Sequence, residues 1–370
     1  MHFKPDNITI YSVGLLGGSL GLALKKSGFD GQITGLSSNK NLDIALQLGC
    51  IDKGYSYNEL QKVIQKTQLL ILCSPIMQII KTIETLGKMN LPDGLLISDV
   101  GSTKKTIVST ALDLPDNVRF IGGHPMAGSE RSGCAASDPY LFQNAIYVLT
   151  PSSDKPDEMD TSFAEFLCKY LGCRTLFLKP DVHDKIAATV SHIPHLLAVA
   201  LVNLAKNMEL QYPGTQSLAA GGFRDMTRIA SAPYKMWHDI LNTNKRPVVH
   251  LLDSLIESLE EIKKGVTNDS LQNLFDSSKE FRSQIPLRNK GFMNKLSEVL
   301  VLAKDQPGII LKLAESLSEN GINIKDIEVL KVREGEGGTI RLAFESPHIA
   351  KKVVSILTKS GFSARERNQF

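Results

Sequence analysis

Residues 8–20 have the sequence Ile8-Thr9-Ile10-Tyr11-Ser12-Val13-Gly14-Leu15-Leu16-Gly17-Gly18-Ser19-Leu20. The apolar residues up to Val13 predict a strand, and Ser19 to Ser27 predict a helix. A strand, a glycine turn and a helix in this order begin a dinucleotide-binding fold, in which the pyrophosphate lies on the helix N-terminus. We therefore expect the turn to bind a nucleotide cofactor through Gly14, Leu15, Leu16 and Gly17.

The first position of this glycine pattern is Ser12, while Gly14 and Gly17 occupy the second and third positions. A serine is tolerable at this position only if its backbone keeps a negative φ or relaxes. We include it among the cofactor-binding residues. The alternative is a glycine turn that only packs against its neighbours.

Short apolar runs and amphipathic stretches alternate as far as Leu178, as successive β-α units require. The chain is therefore expected to begin with an α/β, doubly wound, Rossmann-like domain over residues 1–178 with a mostly parallel sheet. Further strands are predicted at Gln32–Leu36, Leu69–Cys73, Leu95–Asp99, Arg119–Gly122 and Ala145–Leu149.

The end of the second predicted strand bears on the choice of cofactor. An acidic residue there would bond the ribose 2′-hydroxyl of NAD+ and repel a 2′-phosphate. The sequence that follows Gly35 is Leu36-Ser37-Ser38-Asn39-Lys40, without a carboxylate. Ser37 and Lys40 could accommodate a phosphate, or the segment could be a solvated turn. We expect NAD+, with NADP+ as the alternative.

Two further domains are expected after the first. Between residues 179 and 285 apolar residues recur at helical spacing, which predicts an all-helical domain that buries its surplus apolar face in a homodimer. Residues 283–294, with Pro286 and Gly291, are predicted to be a linker. Residues 295–370 have the β-α-β-β-α-β order of a ferredoxin-like unit, with Gly321 closing a helix and Gly335, Gly337 and Gly338 in a hairpin turn.

Composition narrows the class of protein. The chain has 370 residues, of which 42% are hydrophobic, and this favours several folded domains. Its net charge of +3 comes from 42 basic and 39 acidic residues spread along the chain, so we expect neither a nucleic acid nor a membrane as partner. A small-molecule substrate is expected instead.

Cysteines and apolar runs bear on location. The five cysteines are an odd number without a CxxC pair, which argues against a disulfide framework and a zinc site. Residues 1–7 lack the apolar core of a signal peptide, and the longest apolar run, near Leu196 to Leu204, is expected to be too short to span a bilayer. We expect a cytoplasmic protein without a metal.

His124 is the first candidate for catalysis. It lies in the small-residue loop Gly122-Gly123-His124-Pro125-Met126-Ala127-Gly128, downstream of the predicted nucleotide-binding unit. Hydride removal from an alcohol carbon leaves a hydroxyl proton, and histidine is suited to accept it near neutral pH. We predict that His124 is the general base of a dehydrogenase.

Five motifs together resemble prephenate dehydrogenase of tyrosine biosynthesis over about the first 285 residues. They are Gly14 to Leu20, Asp99 to Lys104, Gly122 to Glu130, Ser191 to His195 and Gly221 to Ala230. Two later motifs, Asp305-Gln306-Pro307-Gly308 and Gly321-Ile322-Asn323-Ile324, resemble an ACT regulatory domain.

The resemblance implies oxidative decarboxylation of prephenate to 4-hydroxyphenylpyruvate, with reduction of the nicotinamide. It assigns proton acceptance to His124 and a hydrogen bond at the reacting centre to Ser102. Because prephenate carries two carboxylates, a cationic fork is needed, and Arg228 matches the substrate-binding arginine. His195 matches the substrate-binding histidine, while Arg224 and Glu130 are candidates for charge support and a gate over the ring.

Plainer interpretations stand beside these roles. His192 and His195 lie three residues apart and could bind a metal, but apolar neighbours favour core histidines. Arg224 could form a surface ion pair, and Trp237 is expected to be a buried anchor.

The C-terminal unit is expected to bind a feedback effector, tyrosine, through Asp305, Pro307, Gly308 and Asn323, between the turn at 305–309 and a neighbouring domain. The alternative is a packing or dimerisation module. For the whole chain, other possibilities are an arogenate dehydrogenase, another nicotinamide enzyme such as a hydroxyacid dehydrogenase or imine reductase, and a catalytically inactive amino-acid sensor.

Overall fold

The structure is a computed structural model that describes residues 3–128, 131–153, 155–285, 296–303, 306–333 and 337–367. Contacts divide the chain into two compact units, Met1–Asn273 and Leu274–Phe370. Each unit has its own sheet and its own apolar core.

The first unit is built on an eight-stranded sheet in the order β3-β2-β1-β4-β5-β6-β7-β8. Neighbours are parallel from β3 to β6, whereas β7 runs antiparallel to β6, so the expected mostly parallel sheet is confirmed. The strands are β1 (Asn7–Tyr11), β2 (Gln32–Leu36), β3 (Lys53–Tyr55), β4 (Leu69–Leu72), β5 (Leu96–Asp99), β6 (Arg119–Pro125), β7 (Ile146–Pro151) and β8 (Arg174–Phe177).

Helices cover both faces of this sheet, which is the doubly wound, Rossmann-like arrangement. One core includes Leu20 and Phe163, and the core on the other face includes Ile79 and Ile107. Burying each such side chain stabilises the fold by about 1.5–3 kcal/mol. The helices are α1 (Leu15–Lys26), α2 (Asn39–Gln47), α3 (Leu60–Ile64), α4 (Ile76–Leu86), α5 (Lys105–Ala111) and α6 (Glu158–Leu171).

Helices continue from residue 180 to residue 284, as the sequence predicts. A π-helical turn at Ala188–His192 joins the first two helices into one continuous segment. The helices are α7 (Pro180–Ala187), α8 (Ile193–Gln211), α9 (Gly221–Thr227), α10 (Tyr234–Thr243), α11 (Lys245–Asn268) and α12 (Gln272–Gln284). Ser283 therefore belongs to α12, and residues 286–294 of the predicted linker lie outside the described residues.

The segment Pro180–Gln211 corrects one expectation from the sequence. Within the described residues it is the helical stretch that is long and apolar enough, at 32 residues, to cross a membrane. The run at Leu196–Leu204 is not isolated, because α7 and the π-helical turn extend it. Only 28% of the most apolar 18-residue stretch of this segment is buried. Apolar helices of soluble proteins pass the same test, so this is weak evidence for a membrane.

Within the described residues, the second unit contains most of α12, a four-stranded antiparallel sheet in the order β10-β11-β9-β12, and the helices α13 and α14. Gly321 has a φ of 66°, as expected after a helix, but Gly337 and Gly338 lie in β11 and not in a turn. Gly335 lies outside the described residues. The elements are β9 (Ser297–Ala303), α13 (Ile309–Ser318), β10 (Asp326–Arg333), β11 (Gly337–Phe344), α14 (Pro347–Lys359) and β12 (Ser363–Glu366).

Candidate active site

The predicted catalytic and cofactor residues of the first unit lie at one edge of its sheet. Gly14 follows β1, Ser102 follows β5, and His124 lies near the end of β6. These strands belong to the parallel part of the sheet, so their carboxyl ends share an edge. Ligands of open α/β sheets bind at this edge.

The turn after β1 is shaped for a close ligand. A Cβ on Gly17 would lie 2.5 Å from the Ser12 carbonyl oxygen and 2.9 Å from Ile10 Cγ2, so this position requires glycine. Gly14 precedes α1, whose first turn has no side-chain cap and no acidic residue. The backbone N–H groups of its first turn have no partner within the helix and are therefore suited to a pyrophosphate.

Ser12 departs from the expected backbone conformation. Its φ is +73°, so the backbone does not keep the negative φ that was the first of the two conditions for a serine here. The Ser12 N–H donates to the Leu36 carbonyl at 2.7 Å, and its hydroxyl shares a 2.9 Å hydrogen bond with the Tyr57 hydroxyl. These bonds hold a conformation that a glycine would adopt without strain.

His124 belongs to a chain of hydrogen-bonded side chains. Its Nδ1 lies 2.8 Å from His183 Nε2, and His183 Nδ1 lies 2.8 Å from Asp184 Oδ1. The Asp184 carboxylate also accepts the backbone N–H groups of Lys104, at 2.7 Å, and Lys105, at 2.9 Å. Helix α7 thereby joins the start of α5 to the end of β6.

A buried ion pair fixes the backbone beside His124. Lys104 and Asp99 are both fully buried, and the Lys104 ammonium donates to the Asp99 carboxylate and to the Gly123 carbonyl. The Asp99 carboxylate accepts the N–H of Gly123 at 3.0 Å and that of Gly101 at 2.7 Å. Both backbone polar groups of Gly123 are therefore held, which limits movement of the base.

The environment of His124 favours its neutral form. Burial holds the pKa of His124 well below its usual value of 6.5, and the nearby His183, Lys104 and His192 lower it further. Each of these neighbours makes a positive charge on the imidazole less favourable. A neutral imidazole is the form that can accept a proton.

His192 and His195 occupy a second buried cluster around Trp237. His192 is bonded to the Asn244 side chain at 3.2 Å, and His195 stacks on the Trp237 ring. Trp237 is 8% exposed, so the predicted buried anchor is confirmed. Both histidines are buried, as the core interpretation requires, and no group of three metal-ligating side chains occurs among the residues the structure describes.

Comparison with known proteins identifies the family. A model of the prephenate dehydrogenase nucleotide-binding domain matches residues 20–174, and a model of the prephenate dehydrogenase dimerisation domain matches residues 179–280. Prephenate dehydrogenase of Bacillus subtilis (strain 168) is 35% identical over 357 residues, which are 95% of each chain. The chain belongs to the prephenate dehydrogenase family.

Two further relatives agree with this assignment. Prephenate dehydrogenase of Lactococcus lactis subsp. cremoris is 34% identical over 359 residues, covering 95% of this chain and 98% of that protein. The crystal structure of prephenate dehydrogenase from Aquifex aeolicus with hydroxyphenyl propionate and NAD+ is 30% identical, with a TM-score of 0.66. It covers 75% of this chain and 96% of that one. Family membership makes the chain an NAD-dependent oxidoreductase.

The apolar segment described above lies within residues 179–280, which match the dimerisation-domain model. Within Pro180–Gln211 the exposed apolar side chains include Val190, Leu204 and Leu210.

The remaining predicted site residues are more dispersed. Arg224, in α9, and Arg228, which directly follows α9, are exposed, and Glu130 lies outside the described residues. Ser37 is buried, and its hydroxyl has no hydrogen-bond partner among the described residues, whereas Lys40 is exposed on α2. The part of Ser37 and Lys40 in cofactor binding stays a prediction.

In the second unit, Gly308 has a φ of +82° and directly precedes α13, while Pro307 and Asn323 are exposed. Asp305 lies outside the described residues.

His183 and Asp184 were not predicted from the sequence. A histidine followed by an acid near the start of a predicted helix is a weak local signal. The contact of His183 with His124 spans 59 residues along the chain, so it depends on the folded arrangement of α7 against the sheet.

Proposed function

We propose that the chain catalyses the oxidative decarboxylation of prephenate to 4-hydroxyphenylpyruvate with reduction of NAD+, as a cytoplasmic enzyme of tyrosine biosynthesis. The observation that carries the proposal is the neutral, half-buried His124 at the nucleotide-binding edge of the sheet, in a member of this family. A dehydrogenase needs a proton acceptor at that place.

His124 accepts the proton of the ring C4 hydroxyl as the C4 hydrogen leaves as hydride. NAD+, when bound at the turn after β1, supplies the hydride acceptor. The bond between C1 and its carboxylate breaks, its electron pair enters the ring, and carbon dioxide leaves. The electron pair reaches the C4 oxygen as a phenolate, which takes the proton back from His124 to give the phenol and return His124 to its neutral form.

The other predicted residues bind and orient the substrate in this proposal. Ser102 is half-buried three residues beyond β5 and bonds the reacting oxygen. Arg228 and His195 bind the prephenate carboxylates, with Arg224 as charge support and Glu130 as a gate. Fixed cationic and hydrogen-bonding groups suit a substrate with two carboxylates.

We propose a homodimer formed through the helical domain. The exposed apolar side chains of Pro180–Gln211 support it, together with the match of residues 179–280 to a dimerisation domain. The domain boundaries of this proposal are 1–178, 179–285 and 295–370.

For the second unit we propose a ferredoxin-like ACT domain that binds tyrosine as a feedback effector. Its β-α-β-β-α-β order and antiparallel sheet support the fold, and the left-handed Gly308 before α13 supports a ligand-binding turn with Pro307 and Asn323. Asp305 belongs to the same predicted turn.

The test is to mix the purified chain with prephenate and either NAD+ or NADP+, and to follow reduced nicotinamide by absorbance. We expect turnover with NAD+, reduced by roughly 100- to 10,000-fold in His124→Asn. Turnover of arogenate in place of prephenate would identify arogenate as the substrate. Failure on both substrates would leave a nucleotide-binding or amino-acid-sensing protein.

A further inference from the structure

We infer that His183 and Asp184 are positioning residues that fix the tautomer of His124, so that its Nε2 carries the free lone pair. The inference rests on the proposed function, because it takes His124 as the base. It concerns two residues that touch neither substrate nor cofactor in the proposed mechanism and act through His124.

Asp184 acts as a hydrogen-bond acceptor at the end of the chain of side chains. Its two carboxylate oxygens accept the backbone N–H groups of Lys104 and Lys105, which fixes the side chain as an acceptor. Asp184 Oδ1 is also 2.8 Å from His183 Nδ1. A carboxylate that accepts on this side requires a proton on His183 Nδ1.

The proton position on His183 in turn determines the proton position on His124. A neutral His183 with its proton on Nδ1 has a lone pair on Nε2. This Nε2 lies 2.8 Å from His124 Nδ1, so His124 must donate there and carry its own proton on Nδ1. The lone pair of His124 is then left on Nε2, which is the atom that can accept the substrate proton.

Burial protects the hydrogen bonds of His183 and Asp184 from water. His183 is 2% exposed and Asp184 is 1% exposed, so water does not compete for their hydrogen bonds. The groups that face His124 are His183, Lys104 and His192, and the Lys104 ammonium is paired with Asp99. The Asp184 carboxylate is the anion at the far end of the chain, and it stabilises the imidazolium that forms when His124 takes a proton.

Replacing the Asp184 carboxylate, which accepts from His183, is the most direct test of the inference. In Asp184→Asn the amide can donate to His183 Nδ1, which reverses both tautomers and places a proton on His124 Nε2. We expect kcat to fall by roughly 100- to 10,000-fold, as the loss of a general base does. His183→Phe removes the nitrogens and leaves the tautomer of His124 unconstrained, so its loss of kcat should be smaller.

The matched control is Asp181→Asn, which makes the same change in the first turn of the same helix at a side chain that is 49% exposed. Its kcat should equal that of the wild-type chain. In Asp184→Asn an amide NH2 that donates to His183 from the position of Oδ1 no longer accepts the Lys104 N–H, so the melting temperature should fall somewhat. NAD+ binding by calorimetry should be retained, whereas a purely structural role would lower kcat and NAD+ binding together. An Asp184→Asn variant with kcat within about threefold of the wild type would overturn the inference.

A second measurement needs no turnover. The ring nitrogens of 15N-labelled histidine distinguish protonated from unprotonated nitrogen, and His124→Asn identifies the signals of His124. We expect a protonated Nδ1 and an unprotonated Nε2 in the wild-type chain, reversed in Asp184→Asn. The opposite tautomer in the wild type would refute the inference. Because no substrate is present, failure of the chain on prephenate would not affect this result.

Discussion

The imidazole of His195 lies flat against the indole of Trp237, with ring centroids 3.7 Å apart and ring planes inclined by 17°. His195 is in the first turn of α8 and Trp237 is in α10, so the contact holds two helices together at the proposed substrate histidine. Burial lowers the pKa of His195, which favours its neutral form at neutral pH. A neutral ring can donate a hydrogen bond to a substrate carboxylate, and it can donate to or accept from a substrate hydroxyl, according to its tautomer.

The stack predicts that Trp237 acts on substrate binding. Trp237→Leu removes the ring under His195, and because such contacts contribute about 0.5–1.5 kcal/mol, KM for prephenate should rise up to about tenfold. Trp237→Phe keeps a ring and should have a smaller effect. Steady-state kinetics with both variants test this, with NAD+ saturating. Equal increases in KM for the two variants would show that the stack is not responsible.

The depressed pKa of His124 predicts an unusual pH profile. The neutral form is the active base, so kcat/KM should be constant at and above the usual histidine pKa of 6.5 and should fall only at a pH well below it. The measurement is kcat/KM for prephenate across the acid range in constant ionic strength. An acid limb centred at or above 6.5 would contradict the prediction, and the residual rate of His124→Asn should lack this limb.

His192 should make folding sensitive to acid. Burial lowers its pKa to about 4, with His183 and His195 adding to the effect and Asp184 opposing it. The unfolded chain binds this proton near pH 6.5, so the stability is fully present above 6.5 and is lost as pH falls from 6.5 towards 4. At about 1.4 kcal/mol per pKa unit, the loss is about 3 kcal/mol.

Urea denaturation at several pH values measures this loss, with fluorescence of the single tryptophan, Trp237, as the signal. In His192→Gln the free energy of unfolding should depend less steeply on pH between 6.5 and 4. An unchanged slope would show that His192 is not the titrating group. His195, whose pKa is also lowered by burial, provides the comparison variant, His195→Gln.

The sequence predicted those parts of the fold that buried side chains determine. All four residues of β4, Leu69–Leu72, are buried, and such an apolar run is typical of a parallel strand covered on both faces. β3 and β8 were missed because they are short edge strands with exposed residues and little apolar pattern. Edge strands form by pairing with a neighbour, and this is not visible in a short local sequence.

In the candidate site, too, only features with a local sequence signal were predictable. His124 was predictable because a histidine between glycine-rich segments is a local feature with a chemical meaning. The chain from His124 to Asp184 was not, because it depends on the packing of α7 against β6 and the start of α5. The positive φ of Ser12 was missed for a related reason: hydrogen bonds to Leu36 and Tyr57, which are distant in sequence, hold the strained backbone.

Regulation by tyrosine can be tested with two glycines of the second unit. Gly308 and Gly361 have φ values of +82° and +87°, and an added Cβ meets no atom within 4 Å at either position. Alanine at each therefore costs about 1–2 kcal/mol of backbone strain without a clash.

Only Gly308 lies in the proposed effector turn. We expect Gly308→Ala to raise the tyrosine concentration for half inhibition and Gly361→Ala to leave it unchanged. The rate without tyrosine should be equal in both, and calorimetry on the full chain should show weaker tyrosine binding to Gly308→Ala alone. A wild-type chain that neither binds tyrosine nor slows in its presence would identify the second unit as a packing or dimerisation module.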